Sequence, residues 1–181
     1  MRRIISTVMT VAVCVSAVFA QPPAYSGEQQ RAIKSLSQQE IDDYLSGAGM
    51  GFAKTAELNS YPGPRHVLEL AEQLNLTEQQ ASRSKVLFEA MRSDAVRLGK
   101  AIVEQEHALN KLFAQHTINP KKLSEAIGHI AVLQGKLRAV HLSAHIEMQQ
   151  LLTTEQIEKY DELRGYAARQ DSQGNEHQHK H

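Results

Sequence analysis

Cysteine and aromatic residues are almost missing from this chain of 181 residues. The one cysteine, Cys14, lies in an apolar stretch near the N-terminus, so the sequence after it offers no disulfide and no thiolate nucleophile or ligand. There is no tryptophan, and aromatic residues make up only 5% of the chain. Sandwiches and barrels normally use more aromatic and β-branched residues, so this composition disfavours a β fold.

The first twenty residues have the pattern of a cleavable export signal. Arg2 and Arg3 precede a mostly apolar run, and residues 18–20 read Val-Phe-Ala, with the small residues that signal peptidase requires. We therefore predict a signal peptide over residues 1–20, cleavage after Ala20 and export to the periplasm. The apolar run is too short for a comfortable transmembrane helix, so we expect no membrane span after cleavage.

A strong net charge is also lacking. The 20 basic residues balance the 20 acidic ones, and loss of Arg2 and Arg3 leaves a mature chain with a net charge of about −2. Such a chain has no electrostatic field suited to DNA or RNA, so we expect no nucleic-acid partner.

Two long amphipathic helices dominate the middle of the chain. Apolar residues recur at steps of three and four from Thr77 to about Gln115, and again from Pro120 to about Leu151. Asn119 can cap the second helix with its side-chain oxygen, and Pro120 suits the helical position that follows the cap. The short connection predicts an all-α fold built on a long antiparallel helical hairpin with short flanking helices. A hairpin alone buries little apolar surface, so we expect short helices to fold back on it or a second copy to cover it in a homodimer.

The chain divides into four predicted parts. The signal peptide at 1–20 is followed by a flexible polar leader at 21–36, a helical domain at 37–169, and a disordered polar tail at 170–181. Residues 46–51, SGAGMG, are predicted to form a flexible turn. No strand precedes them, so the nucleotide-binding interpretation of their glycines is disfavoured.

A Leu-Thr-x-x-Gln unit stands at the start of the first long helix and again at the start of the last helix. In each unit the threonine side chain can accept a bond from the third helical N–H, and the glutamine can reach back to the threonine N–H. The residues are Leu76, Thr77 and Gln80 in the first unit, and Leu152, Thr153 and Gln156 in the second. These capping boxes predict where helices start and by themselves carry no chemistry.

The export signal, the helical hairpin and the paired units together resemble the Spy/CpxP family of periplasmic proteins. That family is related to the ZraP and CnrX types, which respond to heavy metals. The resemblance covers about residues 51–166, and its most specific stretches are LNLTEQQ, LLTTEQIEKYDELRGY and GMGFAKTAELNSYPGPRHVLELA. It implies a bent hairpin that dimerises and either chaperones unfolded proteins without ATP or binds divalent metals. This chain departs from the metal-binding types in lacking a mature cysteine, and from Spy in lacking strong positive charge.

Two histidines and a methionine share one face of the second long helix. His141, His145 and Met148 span about 60° around its axis. Two imidazoles four residues apart can bind Zn²⁺, Ni²⁺ or Cu²⁺, and a thioether suits copper. The sequence leaves a structural alternative open, in which His141 is a half-buried core residue, His145 lies at the rim, and Met148 fills the core.

Two histidines do not complete a metal site. Folding the hairpin about residues 117–118 puts Met91 and Asp94 roughly opposite the pair, and His66 is predicted to fold over the same end. A dimer partner is a further source of ligands. In the tail, alternating histidines form a segment that can chelate metal weakly without folding; these are His177, His179 and His181.

The function expected from these features is not enzymatic, since no nucleophile–base pair, acid pair or closed pocket can be recognised. The first hypothesis is an ATP-independent periplasmic chaperone whose apolar stripe, flanked by basic residues, binds unfolded proteins. The second is a heavy-metal sensor or scavenger, and the third is an inhibitor of a periplasmic sensor domain. No cofactor is required, and Zn²⁺, Ni²⁺ and Cu²⁺ are the candidate ligands.

Overall fold

The structure, a computed structural model, describes residues 25–166 in two compact units. The described part of the first unit, residues 25–30, contains one 3₁₀ turn, Glu28–Gln30. The second unit begins at Arg31 and contains six α-helices within the described residues. They are α1 (Gln38–Ser46), α2 (Lys54–Glu57), α3 (Pro64–Glu69), α4 (Glu78–Ala114), α5 (Pro120–Leu151) and α6 (Thr154–Arg164).

Every regular element in the described part of the chain is helical, which confirms the predicted all-α class. None of the helices between residues 25 and 166 combines the length and the hydrophobicity that a bilayer crossing requires. The predicted signal peptide and the predicted histidine tail lie outside the described residues.

Side-chain caps determine where the principal helices begin. Thr77 and Thr153 both form the predicted capping boxes, accepting bonds from Gln80 N and Gln156 N at the starts of α4 and α6. The Asn119 side chain accepts a bond from Lys122 N at 3.0 Å, which caps α5. Because each cap satisfies an N–H that has no partner inside the helix, the sequence defines these starts locally.

The longest helices, α4 and α5, are joined by residues 115–119 and pack against each other more extensively than any other pair of described helices. A central core forms where α1 lies on α4. Its buried residues are Ile33, Leu36, Tyr44, Ala95, Leu98, Ile102 and Leu137. A second, terminal core joins α3 and α6 to α5; it consists of Val67, Leu74, Met148, Leu152 and Tyr160.

The flexible leader predicted over residues 21–36 is wrong for its last six residues. Ile33 and Leu36 are buried in the central core. The Ser35 hydroxyl donates to Glu106 Oε2 at 2.8 Å, and the Asn110 amide donates to the carbonyl of Ala32 at 3.2 Å. Two apolar residues in a polar stretch are enough to pack this segment on α4, so the helical body begins at Arg31.

Gly99 lets α1 cross α4 at close range. It is buried, and a Cβ added at this position would overlap the carbonyl group of Tyr44. Glycine within a helix costs about 1 kcal/mol relative to alanine. Here the missing side chain is what allows the two backbones to approach.

Candidate functional site

A half-open cleft lies between the short helices and the middle of the long pair. Its volume is about 680 Å³. Residues from all six α-helices and from the loop before α2 line it. Those with metal-binding or ionisable groups are Met50, Lys54, Glu57, Arg65, His66, Met91, Arg92, His141, His145, Arg164 and Tyr166. Three of the histidines chosen from the sequence therefore face one cleft, as does Met91, which was expected opposite them.

His141 is buried in the cleft wall with an unused ring nitrogen. Its side chain is only 3% exposed, and the ring stacks on Phe52 with centroids 5.7 Å apart. The Nε2 atom has no hydrogen-bond partner. Burial, followed by the nearby charge of His145, lowers the pKa of His141 from its ordinary value of 6.5, so the neutral imidazole is favoured.

His145 is held by the loop between α2 and α3. Its Nδ1 atom lies 2.7 Å from the carbonyl oxygen of Tyr61. A carbonyl only accepts hydrogen bonds, so Nδ1 carries the proton and the neutral ring has its lone pair on Nε2. Gly63 packs beside this ring, since a Cβ added there would lie 3.1 Å from Nε2.

Among the described residues, Glu57 is the only acidic one that lines the cleft, and its carboxylate already interacts with several side chains. Its Oε1 accepts hydrogen bonds from the hydroxyls of Tyr160 at 2.6 Å and Tyr166 at 3.1 Å. The guanidinium of Arg164 lies 3.3 Å from the same oxygen. Its Oε2 lies 3.7 Å from Nδ1 of His145. Burial, and after it the hydrogen bond to Glu57, raises the pKa of Tyr160, so this hydroxyl keeps its proton and donates it.

The other residues predicted to bind metal occupy different surroundings. His66 lines the cleft but is partly exposed, and its Nδ1 lies 2.9 Å from Glu69 Oε2. Met148 does not line the cleft; it is fully buried in the terminal core, in one cluster with Val67 of α3 and Tyr160 of α6. In the part of the chain that the structure describes, no group of three or more His, Cys, Asp or Glu side chains is placed to hold a metal ion.

The glutamines of the two Leu-Thr-x-x-Gln units bond to each other. Gln80 Nε2 donates to Gln156 Oε1 at 2.8 Å, and Gln156 Nε2 donates to Gln80 Oε1 at 3.1 Å. Each amide also donates to a backbone carbonyl beyond its own helix, Gln80 to Leu151 and Gln156 to Leu74, both at 3.1 Å. The pair therefore ties the start of α4 to the end of α5 and the start of α6. Sequence reasoning recognised each cap but not their partnership.

A second candidate surface lies at the other end of the long helices. Leu123 and Ile127 continue the stripe of α5 that is buried from Ile130 to Met148, yet they are 39% and 49% exposed. Phe113, close to the end of α4, is 52% exposed. The apolar end, defined here as Phe113, Leu123 and Ile127, is thus an uncovered extension of the core face.

The chain matches no protein-family model, no curated protein and no solved structure.

Proposed function

We propose that this protein is a non-enzymatic periplasmic stress protein of the Spy/CpxP type that binds unfolded proteins without ATP. The supporting observation is the apolar end. Scattered single apolar residues on a surface are ordinary, but these three extend the core stripe of the long pair beyond its covered part. A surface of this kind binds exposed apolar segments of a client through burial of area, without strict demands on sequence.

In this proposal α4 and α5 form an antiparallel hairpin that homodimerises. The bond from Gln80 to the carbonyl of Leu151 supports the antiparallel arrangement, because it joins the first turn of α4 to the last turn of α5. Residues 115–119 connect the opposite ends. A second copy and an unfolded client compete for the same apolar surface, so client binding is expected to respond to protein concentration.

The test is suppression of client aggregation. Residues 21–181 are mixed at near-equal stoichiometry with several unrelated, chemically denatured enzymes, and light scattering is followed without ATP. Suppression with most clients is expected, whereas inactivity toward all of them would contradict the proposal.

A second candidate function, periplasmic binding of heavy metals, is favoured by the cleft. His141 and His145 place two imidazoles in one wall; Nε2 of His141 has no hydrogen-bond partner, and Nδ1 of His145 bonds to the Tyr61 carbonyl. The bond from His145 Nδ1 to the Tyr61 carbonyl is the kind of outer contact that orients a metal-ligating histidine. In this role the protein would sense or scavenge divalent ions, with lower affinity as the pH falls and the imidazoles protonate.

Calorimetric titration of Zn²⁺, Ni²⁺ and Cu²⁺ tests the second candidate. The proteins compared are residues 21–181, the same chain with His177, His179 and His181 replaced by alanine, and the chain with His141→Ala and His145→Ala. Binding that survives loss of the tail histidines and disappears with the double substitution is expected. Binding that depends on the tail alone would contradict a site in the cleft.

A further inference from the structure

We propose that the cleft binds a small organic anion, in which an apolar body carries one carboxylate. Such a ligand is opposite in charge to the metal ions of the second candidate function. Its binding depends neither on metal nor on chaperone activity.

Cationic side chains outnumber carboxylates in the cleft wall. Four basic residues line it, namely Lys54, Arg65, Arg92 and Arg164. Among the described residues, Glu57 is the one carboxylate in the lining. Its Oε1 lies 3.3 Å from the guanidinium of Arg164, so these two charges offset each other. Three basic side chains therefore have no counter-charge inside the cleft.

Two of these three cations have no carboxylate partner among residues 25–166. Arg65 pairs with Glu69, which lies outside the lining, at 2.8 Å. Lys54 forms no ion pair and no side-chain hydrogen bond with any described residue. Arg92 donates one long hydrogen bond, from Nε to the carbonyl of Ser46 at 3.4 Å. Lys54 and the outer nitrogens of Arg92 are therefore available to a ligand.

The two available cations flank the loop between α1 and α2, of which residues 47–51 line the cleft. Arg92 bonds to Ser46 just before this loop, and the backbone N–H of Lys54 donates to the carbonyl of Gly51 at 3.1 Å. Attraction between opposite charges acts over several ångströms, so these cations need not meet at one point, as metal ligands must. A cleft lined by one sign of charge attracts and concentrates an oppositely charged ligand.

Uncovered apolar side chains in the same cleft favour an anion with an apolar body over a free inorganic ion. Met50 and Leu58 are 36% and 54% exposed, and both line the cleft. Phe88 and Met91 of α4 add two half-buried apolar side chains. The cleft volume of about 680 Å³ suits a small molecule. Burial of these side chains against a ligand adds affinity that inorganic phosphate cannot obtain.

Fluorine NMR of para-trifluoromethylbenzoate mixed with residues 21–181 tests the proposal. A metal chelator is present throughout, so no bound metal ion can hold the carboxylate. The uncharged para-trifluoromethylbenzyl alcohol has the same apolar body and should bind about tenfold more weakly or worse. Inorganic phosphate at equal concentration should not displace the benzoate. Equal binding of the benzoate and the alcohol, or displacement by phosphate, would overturn the proposal.

Two double variants locate the binding site. Lys54→Gln with Arg92→Gln removes the two available cations at exposed positions and should weaken benzoate binding about tenfold. Lys100→Gln with Lys136→Gln removes the same charge from exposed positions of α4 and α5 that do not line the cleft. This control pair should bind the benzoate as tightly as the parent. Equal effects of the two pairs, or no effect of either, would contradict binding in the cleft.

The apolar end provides a second control, because an apolar probe could also bind there. Leu123→Ser with Ile127→Ser should retain benzoate binding, since both residues lie outside the cleft lining. Loss of binding in this variant would place the probe at the apolar end and overturn the inference. Because aggregation suppression is measured separately, failure of the chaperone proposal and failure of anion binding give different results.

Discussion

At the scale of single residues, burial of His141 makes stability depend on pH. Its pKa is lowered from 6.5 in the folded chain by burial and by the neighbouring His145. Between the folded value and 6.5 the unfolded state binds more protons, so stability rises with pH through this window. The stability that depends on neutral His141 is fully present above about pH 6.5 and is lost as the pH falls toward the pKa of His141 in the folded chain.

We therefore expect the free energy of unfolding to fall as the pH is lowered below about 6.5. His141→Phe should keep the stacked ring on Phe52 and lose the part of this pH dependence that His141 contributes. Urea denaturation at a series of pH values measures the pH dependence of stability for the parent and for His141→Phe. His107→Ala, at an exposed position on α4, is the control and should retain the original profile. Identical profiles for the parent and His141→Phe would contradict this account.

At the scale of elements, alanine substitution at two glycines of the long helices should change stability in opposite directions. Gly128→Ala in α5 adds a Cβ that meets nothing within 4 Å, so it should stabilise the protein by up to about 1 kcal/mol. Gly99→Ala in α4 places its Cβ against the backbone of Tyr44, so it should destabilise the protein despite the better helix propensity. Thermal or urea unfolding of the two variants measures both changes in stability. Stabilisation by both would mean that α1 does not cross α4 at Gly99.

The glutamine pair predicts coupling between the starts of α4 and α6. Gln80→Ala and Gln156→Ala should each cost about 1–3 kcal/mol, because each leaves partly buried partners unsatisfied. The double variant should cost less than the sum of the single variants, since the second substitution removes the group left unpaired by the first. Gln79→Ala, exposed in the same turn, should be close to neutral. Additive costs would show that the two amides do not interact.

The starts of the principal helices could be predicted because their signals are local. Thr77, Asn119 and Thr153 cap the helices that their sequence context indicated. The packing of Ile33 and the commitment of Glu57 could not be predicted, since they depend on residues far along the chain, such as Ile102 for Ile33 and Tyr160 for Glu57. The sequence analysis brought His66, His141 and His145 to one end of the hairpin, and for Met148 the structure matches the alternative in which this residue fills the core.

At the scale of the whole helical body, the long helices carry two separate candidate surfaces. Met91 in the cleft and Phe113 at the apolar end lie 22 residues apart on α4, which corresponds to roughly 30 Å. Substitutions at such a distance are expected to act independently. Client binding and metal binding can therefore be removed one at a time, and variants of the cleft serve as controls for variants of the apolar end.

The central claim, that the apolar end binds unfolded proteins, is tested most directly by one comparison of aggregation suppression. Leu123→Ser with Ile127→Ser removes the uncovered core stripe. Val132→Ser with Ile146→Ser removes two apolar residues, 56% and 47% exposed, from another face of α5. The first pair is expected to lower suppression severalfold and the second to leave it near the parent level. Equal suppression by both pairs and the parent would contradict client binding at the apolar end.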